Sequence, residues 1–305
     1  MSTSARGGWT RRRVLAASGG GLAALAVAGA GALDLVSRGV LPGQQALDRL
    51  DGACSVPPPT VSFSAPGPSV SGRFFSRARR RAVGYTIAYP PGYRPGSPLP
   101  LIVVLHPYGS DHRHPLTGMS LPHALALHTG GEPLPPMAMV SADGGDRYWN
   151  PHPGDDPMGM VIDELIPFCQ RRELGQDAVG TLGISMGGYG AILLAEKHPA
   201  LIRAVAAIGP AIWTSYRQAR AANPGAYASA AAFTAADVVR HAAALRAVPV
   251  RVASGLSDPF CPGARAFAQA LPAAVVDISH GCHSAPFFTA QEPPSLAFLA
   301  RHLTA

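Results

Sequence analysis

The sequence predicts an α/β domain, a mostly parallel central sheet with helices on both faces. Three observations predict it. Short apolar runs occur without polar alternation, the pattern of strands buried on both faces. Between them lie segments whose apolar residues recur at helical spacing, so strand and helix take turns along the chain. Of 305 residues, 47% are hydrophobic and only 14% charged, which suits a chain that buries a large core and does not suit a disordered one.

The chain opens with "TRRRVLAASGGGLAALAVAGAGAL", a basic stretch followed by an apolar run of small residues. Thr10-Arg11-Arg12-Arg13-Val14-Leu15 fits a twin-arginine export signal, and the run from Val14 to Leu33 is long enough to serve instead as a membrane anchor. Residues 1–36 are therefore expected to be a signal or anchor, and the protein to be exported, extracellular or held at the cell envelope. Residues 37–70, which contain "SVPPPTVSFSAPGPSV", read as a Pro/Ser-rich linker, and residues 71–305 as the folded domain. The net charge is +7, but Arg6, Arg11, Arg12 and Arg13 supply four of those charges within 32 residues that hold no acid. The remaining +3 forms no stripe of Lys and Arg with interleaved aromatics, which argues against nucleic-acid binding.

Within the domain, "RAVGYTIAYP" alternates like a half-buried strand, while "LPLIVVLHP" and "MAMVSAD" are continuous apolar strands. "DDPMGMVIDELIPFCQRR" is a helix capped by Asp155 or Asp156 ahead of Pro157. "AVGTLGIS" is a strand, and "MGGYGAILLAEKHP" a helix stopped by Pro199. "RAVAAIGP" and "VPVRVASG" are further strands, separated by an Ala-rich segment, 213–247, expected to be helical and to lie over the top of the sheet. "GARAFAQALP" is a helix, "AAVVDIS" a strand and "PPSLAFLARHL" a final helix.

Sheets of this kind carry their sites beyond the carboxyl ends of the strands. Gly183-Ile184-Ser185-Met186-Gly187 sets a serine between a buried strand and a helix, with glycines leaving room for a sharp turn. A serine so flanked arises readily by chance in a glycine-rich chain, so the strand before it and the helix after it carry the argument. Met186 would offer its N–H at the helix N-terminus to a developing oxyanion. A serine hydroxyl also needs a base to take its proton and an acid to orient the base. Asp258 follows "VPVRVASG" and His283 follows "AAVVDIS", giving the order serine, acid, histidine. Asp277 lies inside a strand and Asp237 reads as a helix cap, so both are poorer acids; His280 is the rival base, and His198 reads as a partner for a helix C-terminus. The second oxyanion donor is expected from Tyr108 N–H, with Gly109 as the alternative and His106 shaping the loop. Trp149 and Asp143 follow another strand end and are candidates for the substrate pocket. Asp111, His112 and His114 are too few to argue for a metal, and none is expected.

Four cysteines without C-x-x-C spacing argue for disulfides rather than a zinc or redox site. Cys261 is three residues after Asp258 and Cys282 directly precedes His283. A Cys261–Cys282 bond would clamp the acid loop to the base loop, leaving Cys54–Cys169 as the other pair. Free buried thiols or another pairing are the alternative.

"GISMGGYGA" with Ser185, "DPF" with Asp258, "GCHSAPFF" with His283, and "DGGDRYWNP" ahead of "GDDPMGMVIDELIP" resemble the actinobacterial secreted esterases of the α/β-hydrolase superfamily. These are similar to the broad group of esterase D and the antigen 85 mycolyltransferases. The resemblance spans residues 70–303. It implies an α/β-hydrolase fold, a Ser185-Asp258-His283 triad and no cofactor. "HPYGSD" departs from the His-Gly of many hydrolases, since Pro107 has no backbone N–H to give. The expected function is a serine carboxylic ester hydrolase that forms an acyl-enzyme from a small-molecule, lipid or sugar ester. Two other readings are an acyltransferase that passes the acyl group to a sugar or lipid alcohol, and a non-catalytic cell-envelope binding protein on the same scaffold.

Overall fold

The computed structural model of the protein describes residues 51–304. The expected export signal or anchor over 1–36 lies outside the described residues, as does the first part of the expected linker. Every element below belongs to one compact unit, Ala53–Ala305. Among the described residues no helix is long and apolar enough to cross a membrane.

From residue 53 on, the stretch expected to be a linker is bound to the body. Cys54 is disulfide-bonded. Val56 and Val61 pack against the core. Ser62–Phe63 (β1) pairs antiparallel with Leu127–Thr129 (β5), which pairs in turn with Glu132–Pro133 (β6).

The main sheet is built from Ser69–Ser76 (β2), Arg81–Ala88 (β3), Leu99–Leu105 (β4), Ala138–Ala142 (β7), Leu174–Ile184 (β8), Ile202–Ile208 (β9), Val250–Ser257 (β10) and Val275–Cys282 (β11). Its order is β11-β10-β9-β8-β4-β7-β3-β2. β2 and β3 join antiparallel and all the others run parallel. β4 shows why the middle strands read as continuous apolar runs. Leu101, Val103 and Leu105 point into one core cluster, and Ile102 and Val104 into a second on the opposite face.

Helices cover both faces, as the sequence predicts. On the first lie α2, continuous over 157–170 and π-wound over Met160–Leu165, α3 (Met186–Lys197) and α6 (Cys261–Ala270). On the second lie α1 (Leu121–Leu125) and α7 (Ala285–Leu303). Of the two candidate caps for α2, Asp156 accepts the Gly159 N–H at 2.8 Å, while Asp155 pairs with Arg79 at 2.7 Å.

Two expectations need correcting. The final helix starts at Ala285, not at the Pro-Pro pair, so Pro293 and Pro294 stand inside it. An interior proline costs about 3 kcal/mol; the burial of Phe287, Phe288, Leu296, Phe298 and Leu299 offsets that cost. Segment 213–247 holds only the short helices α4 (Tyr216–Ala222) and α5 (Ala230–Ala235) and one 3-10 turn, Ala242–Leu245. Asn223-Pro224-Gly225 breaks it, and it runs along α3, where Ala236 O accepts from Tyr189 Oη at 2.8 Å and Ala235 O from Lys197 Nζ at 2.8 Å.

Candidate active site

β8 ends at Ile184 and α3 begins at Met186, so Ser185 alone makes the turn. Its backbone sits at φ 56° and ψ −117°, a region that side chains disfavour. Three backbone bonds hold it there: Ser185 N–H to Ile208 O at 2.9 Å, and Ser185 O accepting from Tyr189 N–H at 3.1 Å and Ala211 N–H at 3.0 Å. The flanking glycines are steric requirements. A Cβ on Gly183 would sit inside the Gly187 carbonyl, and one on Gly187 inside the Leu105 carbonyl.

Ser185 Oγ lies 2.8 Å from His283 Nε2, and His283 Nδ1 lies 2.8 Å from Asp258 Oδ2. The Asp258 side chain is wholly buried, and its other oxygen accepts the Phe260 N–H at 2.8 Å. With Asp258 accepting, His283 Nδ1 donates and Nε2 is left to accept from the serine hydroxyl. The imidazole is held between Phe260 and Phe288, at ring-centre distances of 5.1 and 4.8 Å. All three residues follow the carboxyl ends of parallel strands: β8, β10 and β11. The competing residues stand elsewhere. His280 is exposed in β11. Asp277 accepts from Arg251 and Gln291. Asp237 accepts from the N–H groups of Val239 and Arg240.

The loop after β4 is held from inside. His106 is fully buried; its Nδ1 is 2.8 Å from Pro107 O and its Nε2 accepts the Gly144 N–H at 2.9 Å. Both bonds require the neutral ring protonated on Nδ1, and burial pushes its pKa below the ordinary value. No peptide bond is cis among the described residues. N–H and C=O oppose each other across a trans peptide. His106 therefore turns Tyr108 N–H away from itself by holding Pro107 O. The alternative donor, Gly109 N–H, is spent on Asp146 Oδ1 at 2.7 Å. Met186, as the first residue of α3, has an N–H that the helix does not use.

A family model described as "Putative esterase" matches residues 76–276. The chain belongs to this esterase family. Among solved structures, a ferulic acid esterase is similar with a TM-score of 0.67 at 18% identity, over 79% of this chain and 100% of that one. An S-formylglutathione hydrolase from Agrobacterium tumefaciens gives 0.61 at 16% identity, over 80% and 98% of the two chains. MPT51 of Mycobacterium tuberculosis gives 0.62 at 16%, over 79% and 100%. These likenesses identify the α/β-hydrolase fold, and family membership supports ester hydrolysis in general. No curated protein sequence matches the chain.

Elsewhere in this esterase, three expectations change. Trp149 does not line a pocket: its side chain is completely buried, packs near Gly144 and Gly190, and gives its indole N–H to His106 O at 3.4 Å. Asp143 is taken up by the loop, its two oxygens accepting the Gly84 and His112 N–H groups at 3.0 Å each. The aromatic groups beside the base are instead Phe260 and Phe288, with Trp213 behind Phe260 at 4.7 Å between ring centres. Trp213 lies two residues after Ala211, whose N–H reaches back to Ser185 O.

The cysteine pairing also differs. Cys54 bonds Cys282, and Cys169 and Cys261 are free and buried. Cys169 belongs to the core cluster on one face of the sheet, whereas Val56, two residues from Cys54, packs on the other, so Cys54 and Cys169 are kept apart. Burial pushes the Cys169 thiol up to about 12. Cys261 heads α6 with its side chain turned inward.

Proposed function

We propose that the protein is a serine carboxylic ester hydrolase with Ser185 as nucleophile, His283 as general base and Asp258 as the orienting acid. The observation that carries this reading is the unbroken pair of 2.8 Å hydrogen bonds from Ser185 through His283 to Asp258. His283 Nε2 takes the hydroxyl proton as Ser185 Oγ attacks the ester carbonyl, and Asp258 stabilises the imidazolium that forms. The N–H groups of Met186 and Tyr108 hold the oxyanion of the tetrahedral intermediate. His283 then gives its proton to the leaving alcohol, leaving the acyl group on Ser185. A water that loses its proton to His283 attacks that acyl-enzyme, and His283 returns the proton to Ser185 Oγ as the bond to the acyl group breaks and the acid departs. The substrate is an ester small enough to reach a half-buried serine. The Cys54–Cys282 disulfide supports a working place outside the reducing cytoplasm, in keeping with the twin-arginine motif of the sequence.

The test is labelling with a fluorophosphonate, followed by peptide mapping, on the wild type and on Ser185→Ala. One adduct on Ser185, absent from a folded Ser185→Ala that also loses esterase activity, is the expected result. A folded wild type that takes no adduct overturns the reading.

A further inference from the structure

His283 sits where the sheet offers least support. β11 is an edge strand, and its register with β10 shifts just before the histidine: Gly255 faces Ser279, but Ser257 faces Cys282. His280 and Gly281 thus leave the regular ladder. Gly281 has φ 142°, and a side chain there would collide with Phe287 and press on Val56. After Cys282 only His283 and Ser284 separate the strand from α7.

One covalent fastener lies at this place. Cys282, directly before His283, is joined to Cys54 with Cα atoms 4.8 Å apart. The far side of that tether is itself fixed. Val56 and Val61 are packed on the core, β1 is paired with β5, Ser64 N–H bonds Ala126 O at 2.9 Å, and Ser64 Oγ lies 2.6 Å from His128 Nε2. The segment 54–64 is therefore a strap whose one end grips the small sheet and whose other end grips the residue beside the base.

Resting on the reading of Ser185 and His283 above, we propose that Cys54 is a positioning residue: its bond to Cys282 holds His283 within reach of Ser185 and makes the site's reactivity depend on the oxidation of that bond. A dithiol reverses it in two exchanges. One thiolate attacks the half-buried Cys54 sulfur and releases Cys282 as a thiol; the second sulfur of the dithiol then displaces Cys54. Two electrons and two protons pass to the bridge, giving two thiols, and the dithiol leaves as its cyclic disulfide. His283 then depends on noncovalent contacts alone, at a position where a displacement of about 1 Å costs about a hundredfold in rate.

The experiment compares oxidised wild type, wild type reduced with dithiothreitol, Cys54→Ser, and Cys54→Ser with Cys261→Ser, the last blocking any new bond from Cys282 to Cys261. Thermal unfolding sets an assay temperature at which each sample is folded. The readouts are the rate of fluorophosphonate labelling at Ser185 and kcat and KM for 4-nitrophenyl acetate. The expected result is that labelling rate and kcat fall at least about tenfold in the reduced and variant proteins, with KM within about twofold. Reoxidation with glutathione disulfide restores the reduced wild type and not Cys54→Ser. Folded variants that label at the wild-type rate overturn the inference and leave the esterase reading standing. If the variants and the reduced protein unfold at every usable temperature, the bridge serves stability and the inference also falls. An oxidised wild type that does not label at Ser185 overturns the esterase reading, and the inference goes with it.

Discussion

The two halves of the site are built differently. Ser185 rises from the middle of the sheet, at the end of a strand lying between β4 and β9, and the seven residues before it are all buried. His283 comes from the rim, and Asp258 from the end of β10, the strand next to it. β11 has a single neighbour in the sheet, and Val275 to His280 are all exposed or half-buried. The serine takes its position from the core. The histidine takes its position from a bulge, two phenylalanine rings and a disulfide. Burial thins toward the edge of a sheet, so a residue that must be placed accurately there needs fasteners of its own.

The largest expected effect breaks the half that holds the base while leaving the serine turn intact. Asp258→Asn removes the carboxylate that sets the His283 tautomer, and kcat should fall about 10⁴-fold. Steady-state kinetics on protein with unchanged circular dichroism checks this. A loss under tenfold would mean that Asp258 does not orient the base.

Next comes a pair of truncations that measures the difference in support directly. Leu182→Ala, in the buried stretch before Ser185, should cost about 2–5 kcal/mol. Val276→Ala, on the rim and 40% exposed, should change stability by no more than about 0.5 kcal/mol. Urea unfolding of both variants gives the two values, and equal costs would remove the contrast between middle and rim.

The smallest effect concerns acid stability of the middle half. Burial keeps His106 neutral, with its pKa below the ordinary value, whereas the unfolded chain titrates near 6.5. The unfolded state therefore binds more protons below that pH, and the His106 contribution to stability is present above about 6.5 and lost as pH falls toward the folded-state pKa. His106→Asn cannot protonate. Urea midpoints at pH 7.5 and 5.5 should accordingly move apart less in the variant than in the wild type.

The same contrast governs how much could be read from the sequence. β4, β8, β9 and β10 were legible because burial on both faces leaves continuous apolar runs. β2 was not: "SVSGRFFS" is an antiparallel edge strand with Val70 40% and Phe75 68% exposed, so Phe74 is its one apolar side chain packed on the core, too little to leave a pattern. β1, β5 and β6 are too short to leave a pattern, and only their pairing identifies them. Ser185, Asp258 and His283 could be picked out because each falls at a strand end in a fixed order, which is one-dimensional information. Trp149 and the cysteines depended on which face of the sheet a side chain takes, and spacing along the chain does not carry that. Loop position suggested a pocket for Trp149, whereas its φ of 56° and its contact with Gly190 turn the ring inward.

The Cys54–Cys282 bond also sets a path for mechanical load. A pull on the chain ahead of Cys54 enters the domain at that residue and, through sulfur, arrives at Cys282, a sequence distance of 228 residues. Strands that would otherwise peel off one after another, β1 and then β2 and β3, lie inside the closed loop and carry none of the tension. The covalent line under force runs from Cys54 through the bridge to Cys282 and on into α7, so the body of the enzyme can be tugged from its front end without being unravelled from it.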